Sequence, residues 1–443
     1  MSEQTSIPKH KLTRAASLLK TGVKIGGNYA KYYGRKVTTG VDDRDQLHQD
    51  NAEDAYQAFS ELKGGPLKVA QMLSMDQNIL PRAFQEQFAQ AHYSAPPLSY
   101  PLVVRTFRSE FHKTPDEMFD HFTRSAVNAA SIGQVHRATK GDRSYAVKIQ
   151  YPGVAESMKS DLRLVKPIAM RMIGMTSKEM DYYLQEVEAR LLEETNYRLE
   201  LERSLRLSEL SKGLPGIHFP SYYPELSAGR VLTMEWIEGL PLDQFIDSNP
   251  DLELRNRIGQ AMWDFYHFQV HSLREFHADP HPGNFLVLPD GTLTVLDFGC
   301  VKKLEDDFYR QYFQLLDLNR VLDDADFIAM LEELGMILPT DSKQDRKLLL
   351  GVYRESVEIL SRPFQDESFN FGDPSYVREI YEFSERTQTN QELKKLNTAR
   401  GSRHAIYLNR AYYGLYNLLA SLGSTINAEM PKLLHHKSSA TAA

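Results

Sequence analysis

The sequence is poor in cysteine: Cys300 is the only one. A single thiol excludes a disulfide framework within the chain and makes a reducing, cytoplasmic setting the expectation. Positive charge is not in excess either. Lys and Arg total 52 against 59 Asp and Glu, a net charge of −7, so no nucleic-acid partner is expected. Long apolar runs are missing as well. The best, "AYYGLYNLLASLGSTINA" (411–428), carries no charge, but it holds several polar side chains and is barely long enough to span a bilayer. A buried helix is expected there. The first residues lack the compact apolar stretch of a secretory signal. What remains is an ordinary globular balance, 42% hydrophobic and 25% charged over 443 residues, enough for a two-lobed enzyme with additions.

Basic residues concentrate in one place. Residues 1–36 hold Lys9, Lys11, Arg14, Lys20, Lys24, Lys31, Arg35 and Lys36 against Glu3 alone. Leu12, Ala15, Ala16, Leu18, Leu19 and Val23 recur among them at helical spacing, which predicts an amphipathic helix. Such a helix suits peripheral contact with an anionic membrane. It suits somewhat better packing on the protein with the basic face in solvent, and a transit peptide is a third, weaker reading; the sequence leaves all three open. Helical periodicity continues to the turn-rich "SAPPLSYP" (94–101), a boundary signal. Strand-like runs then appear, "SYAVKIQY" (144–151) and "GRVLTMEWIEG", around a long helical stretch. From 236 helices dominate, interrupted by "ADPHPGN" and "GTLTVLDFG". The reading is an α+β chain: a helical extension over 1–100, a small mixed lobe over 101–235 and a larger, mostly helical lobe over 236–443. That is the bilobal, protein-kinase-like arrangement.

Several motifs fit it. In "HADPHPGN", His277, Asp279 and Asn284 fall at the offsets of the kinase catalytic loop, with Ala278 where that loop has arginine. There the acid orients or deprotonates a hydroxyl and the amide binds a metal. "VLDFG" follows, and Asp297 is the acid that reaches magnesium in such a motif. Lys148 in "YAVKIQ" occupies the place of the strand lysine that holds phosphates. It needs a carboxylate from the following helical stretch, where Glu193, Glu194 and Glu200 are the candidates. "NAASIGQVHRA" (128–138) stands where a glycine-rich phosphate loop belongs, but Gly133 is its one glycine, so this loop is stiffer.

Together these residues resemble the UbiB (AarF) family of atypical kinases, over roughly residues 60–310. The resemblance implies ATP or ADP with Mg2+ as cofactors. It also implies a role in ubiquinone or other isoprenoid-lipid metabolism, with an isoprenoid lipid or quinone precursor as partner. It assigns Ala129, Ala130, Ser131, Gly133, Lys148, Glu235 and Ile237 to the nucleotide, Asn284 and Asp297 to the metal, and Asp279 to catalysis. Its paired-glutamate motif falls on Glu194, Asn196 and Glu200, with Glu194 pairing Lys148. Its G-P-x-x-K-x-G-Q element falls on "GPLKVAQ", so Lys68 and Gln71, with Glu200, would belong to a regulatory extension that blocks a peptide's place. Ala70 departs from the family's Gly and Asn196 from its Asp. No Ala-Pro-Glu follows Asp-Phe-Gly, which argues against a peptide acceptor and toward a lipid-linked ATPase or atypical kinase. The alternatives are a small-molecule phosphotransferase and a nucleotide-binding pseudokinase scaffold.

Overall fold

The computed structural model describes residues 11–40, 42–62, 83, 87, 99–130, 132–173, 184–185, 188–189, 192–396 and 400–428. The chain divides into two compact units, Met1–Glu202 with Ser221–Ile237, and Arg203–Pro220 with Glu238–Ala443. In chain order the strands used below are β1 (His121–Phe122), β2 (Asn128–Ala130), β3 (Gly133–Lys140), β4 (Arg143–Gln150), β5 (Ile217–His218), β6 (Val231–Glu235), β7 (Leu240–Pro241), β8 (Glu275–His277), β9 (Phe285–Val287), β10 (Leu293–Val295) and β11 (Val301–Lys303).

The first unit begins with two helices, α1 (Lys11–Thr39) and α2 (Arg44–Leu62). The basic helix expected from the sequence does pack on the protein. Ile25 and Tyr32 are buried, as are Ala55 and Phe59 of α2, and Asn28 donates to Asn51 and Asp54 at 3.1 Å each. Val23, expected on the apolar face, is 70% exposed.

The unit also holds an antiparallel sheet in the order β1-β3-β4-β6, with β2 hairpinned onto β3. Side chains alternate across a strand. In β4, Tyr145, Val147 and Ile149 face inward onto Val103 and Phe107 of helix α3 (Tyr100–Phe111). Each such apolar side chain contributes about 1.5–3 kcal/mol by leaving water. The same alternation fixes Lys148 on the opposite face, its backbone paired with Leu232 and Val135. Helix α4 (Tyr197–Leu210) follows, and the division between the units falls inside it.

The second unit is built on helix α5 (Leu252–Phe268), capped by Asp251, whose carboxylate accepts the Leu254 N–H. Its inward residues Met262, Phe265 and Tyr266 join one core with Phe276, Phe285, Val295 and Phe298. A small sheet runs β5-β10-β9-β7, and β8 pairs with β11 in a separate two-stranded ladder. Helix α6 (Asp306–Phe313) begins almost directly after β11. The charge-free stretch near the C-terminus forms most of helix α7 (Arg403–Leu422), buried through Leu415, Leu419 and Leu422. No helix among the described residues is long and apolar enough to cross a membrane.

Candidate functional site

In the first unit, β2 and β3 form a tight hairpin, with Ala129 paired to Gln134 and Ala130 to Gly133. Ser131 lies outside the described residues, as do Lys68 and Gln71 of "GPLKVAQ". Gly133 has a packing reason beside any ligand-facing one. A Cβ there would lie 2.5 Å from the Ile149 carbonyl oxygen and 2.8 Å from the Tyr197 hydroxyl. Only glycine lets β3 lie that close to β4 and to the start of α4.

Lys148 Nζ donates to Glu200 Oε1 at 2.6 Å, with the two side chains 12% and 2% exposed, and the ammonium stands 5.1 Å from the centre of the Tyr197 ring. Glu200, which the sequence reading had given to the extension while pairing Lys148 with Glu194, is thus in close contact with the lysine. The reason is local. The Leu199 N–H donates to Asn196 Oδ1 at 3.2 Å, and the Glu200 N–H to the Asn196 carbonyl at 3.0 Å. Asn196 thus caps α4. Glu194 precedes that cap and is half-exposed, whereas Glu200 sits one turn inside the new helix on its buried side. The cap also gives the Asn196 departure a benign reading, since Asn and Asp cap about equally well. Glu235 ends β6, its carboxylate accepting the Ser221 N–H at 3.1 Å, and Ile237 follows beyond the strand.

In the second unit, His277 joins the two acidic loops. Its Nε2 donates to the Asp297 backbone carbonyl at 2.7 Å, and its Nδ1 accepts the Asp279 N–H at 3.3 Å. These two bonds require the neutral Nε2–H tautomer. Asn284 Nδ2 donates to the Asp279 carbonyl at 2.9 Å, which turns the amide oxygen the other way. Asp297 Oδ1 accepts the Gly299 N–H at 2.5 Å. Asp279, Asn284 and Asp297 are thus brought into one hydrogen-bonded assembly. Ala278, in the arginine position, is fully buried and donates its N–H to the Cys300 carbonyl at 2.9 Å. A guanidinium would have no solvated place there. The carboxylate of Asp297 and the amide oxygen of Asn284 are hard oxygen donors of the kind magnesium takes.

Three supports carried no signal in the sequence. Gln269 opens a π-helical turn, Gln269–Leu273, that follows α5. Its Oε1 accepts the His277 N–H at 3.0 Å. Irregular turns of this kind recur at functional sites. Gly414 of α7 lies against the 277–284 loop, where a Cβ would meet Pro280 Cγ at 2.2 Å. Tyr266 is buried beneath the loop, and burial, then the Asp279 charge, hold its phenol well above the usual range.

The chain matches known proteins over most of its length. It is 25% identical over 461 residues to the "Probable serine/threonine-protein kinase abkA" of Dictyostelium discoideum, covering 97% of this chain and 80% of that protein. It is 29% identical over 391 residues to "Atypical kinase COQ8B, mitochondrial" of Danio rerio, covering 86% of this chain but only 62% of that one, less than two thirds of its length. Among solved structures it is similar to the Rv3197–erythromycin complex from Mycobacterium tuberculosis, at 27% identity and a TM-score of 0.60, covering 89% of this chain and 97% of that one. The ABC1 atypical kinase-like domain matches residues 90–330. That match takes in both acidic loops, Lys148 and Glu200, and spans more than half of the 443 residues, so the chain belongs to the ABC1 (UbiB/AarF) family of atypical kinases, with a protein-kinase-like fold.

Proposed function

We propose that the chain binds ATP or ADP with magnesium and hydrolyses ATP or transfers its terminal phosphoryl group in support of ubiquinone or other isoprenoid-lipid metabolism. Lys148, held by Glu200, supplies a cation for phosphate oxygens. Asp297 and Asn284 would hold the metal, which would supply positive charge against that developing on the transferred group. Asp279 orients the attacking hydroxyl or water and takes its proton. Such catalysis is mainly positioning, which needs loops that do not move independently. The observation that carries the reading is the His277 bridge, 2.7 Å to the Asp297 carbonyl and 3.3 Å from the Asp279 N–H, which fixes the acid of one loop relative to the acid of the other.

A small or lipid acceptor is favoured over a peptide. β11 pairs back on β8, and α6 starts directly after it, so the described chain beyond Asp297 is engaged in the fold rather than laid out as a peptide platform. Peripheral contact with an anionic membrane would rest on Lys20 and Lys31, which are exposed on α1. Lys24 and Lys36 are already paired, with Asp54 at 3.0 Å and Asp42 at 2.7 Å.

The test is thermal unfolding of the full chain with ADP or ATP, with and without Mg2+. A nucleotide at a hundred times its Kd adds about 2.7 kcal/mol of stability. The expected result is stabilisation that magnesium enlarges and that Asp297→Asn strips of its magnesium increment. Magnesium-independent behaviour in the wild type defeats the reading.

A further inference from the structure

One face of α4 carries charged side chains at three-residue steps: Glu200, Arg203 and Arg206. The first meets Lys148. The other two reach loops far along the chain. Arg203 Nη1 donates to the Gly299 carbonyl at 3.2 Å, across 96 residues of sequence. Arg206 donates to Glu275, which also sits 3.5 Å from Lys303 Nζ. Glu275 and Lys303 are directly opposed in the β8–β11 ladder, the same ladder that opposes His277 to Val301. Arg206 therefore anchors the helix to the strand leading into the catalytic loop, and that anchor fixes where Arg203 can reach.

Gly299 is held from both sides. Its N–H goes to the Asp297 carboxylate at 2.5 Å, and its carbonyl receives Arg203. The two peptide planes flanking a glycine are the least constrained in any chain. Fixing both removes the rotation that would let the Asp297 side chain swing. We propose that Arg203 is a positioning residue for the metal-binding carboxylate: it pins the Gly299 carbonyl, and thereby sets the direction in which Asp297 offers its oxygens. This rests on the reading of Asp297 as a metal ligand. Outer partners of metal ligands typically change metal affinity by about 10–100-fold when removed. A charge-assisted bond to a backbone carbonyl is of the strength such a role needs.

The experiment compares wild type, Arg203→Met and Arg203→Lys as full chains. Two quantities are read for each: the Mg2+ concentration at half-maximal thermal stabilisation in saturating ADP, and the ADP affinity without metal. Binding of Mn2+ in the presence of ADP, followed by electron paramagnetic resonance, gives the metal affinity directly. Arg203→Met is expected to raise the half-saturating Mg2+ about 10–100-fold, with metal-free ADP affinity unchanged and with Arg203→Lys recovering part of the loss. A residue that merely braces the fold would lower the unfolding temperature in every condition and leave the metal midpoint where it was, and that result overturns the proposal. If Arg203→Met does not fold, Arg203→Lys alone decides, because its shorter, non-planar head must shift the midpoint upward. A wild type without magnesium-dependent stabilisation removes the functional reading and this proposal together. Magnesium dependence in the wild type with an unmoved midpoint in both variants removes this proposal alone.

Discussion

Glu200→Gln should be among the most damaging conservative substitutions in the first unit, and the size of the effect follows from burial. Lys148 and Glu200 are 12% and 2% exposed at 2.6 Å, so neither ion keeps much of its hydration. Two ions in that position offset each other's desolvation only while both are present. Removing one leaves an uncompensated buried charge and costs about 3–5 kcal/mol. The Tyr197 ring, 5.1 Å from the ammonium, recovers part of this through its π face, on the order of 0.5–2 kcal/mol. The net expectation is about 1–4.5 kcal/mol, a sizeable share of the roughly 5–15 kcal/mol that holds a domain together. Urea unfolding of the full chain measures it, and amide exchange on 133–150 locates it in the β3–β4 hairpin. Lys148→Met combined with Glu200→Leu should restore much of the stability, because an apolar pair of similar volume has no desolvation to offset. A Glu200→Gln protein as stable as wild type would refute the assignment.

Two further outcomes are expected. His136 is stacked on Phe122. It donates Nδ1–H to the Thr123 carbonyl at 2.8 Å and takes the Gln134 amide at Nε2 at 2.7 Å, and burial lowers its pKa from 6.5 to about 4. The unfolded chain binds that proton from about pH 6.5 downward while the native chain refuses it, so the contribution is complete above pH 6.5 and is lost as pH falls toward 4. The loss is about 3 kcal/mol, and His136→Gln should flatten the stability curve by that amount between those pH values; an unchanged slope refutes it. Gly414→Ala gains about 1 kcal/mol of helix propensity but sets a Cβ 2.2 Å from Pro280 Cγ, on a rigid ring one residue from Asp279. Displacing a catalytic group by about 1 Å can cost ~100-fold in rate, so phosphate release should fall steeply while nucleotide binding persists, and wild-type turnover would show that the loop yields without consequence.

The parts of the site that could be read from sequence are those in which a short motif is also a short structure. "HADPHPGN" is legible because His277, Asp279 and Asn284 bond to one another or to each other's backbone within eight residues. Lys148 is legible because alternation along β4 puts Val147 and Ile149 in the core and leaves the lysine on the other face. The choice between Glu194 and Glu200 was not legible. Both lie in an acidic helical run, and what separates them is the restart of the helix at Tyr197, set by the single cap bond from Leu199 to Asn196. A shift of helix phase moves every side chain to another face, so motif spacing alone cannot say which acid turns inward.

Arg203, Gln269 and Gly414 lie beyond sequence reading for a different reason: each has its meaning in a partner that periodicity does not contain. Gln269 looks like one more polar residue at a helix end until its oxygen is found on the His277 N–H. Gly414 looks like a defect in a helix until Pro280 is found against it. Arg203 looks like a solvated charge until its guanidinium is found on the Gly299 carbonyl. Arg203 and Gln269 bond to peptide groups of the acidic loops, and Gly414 makes room for the Pro280 ring. Part of the rigidity of these loops is internal, since the Asp297 carboxylate itself holds the Gly299 N–H, and the rest comes from bonds to peptide groups supplied by residues remote in sequence.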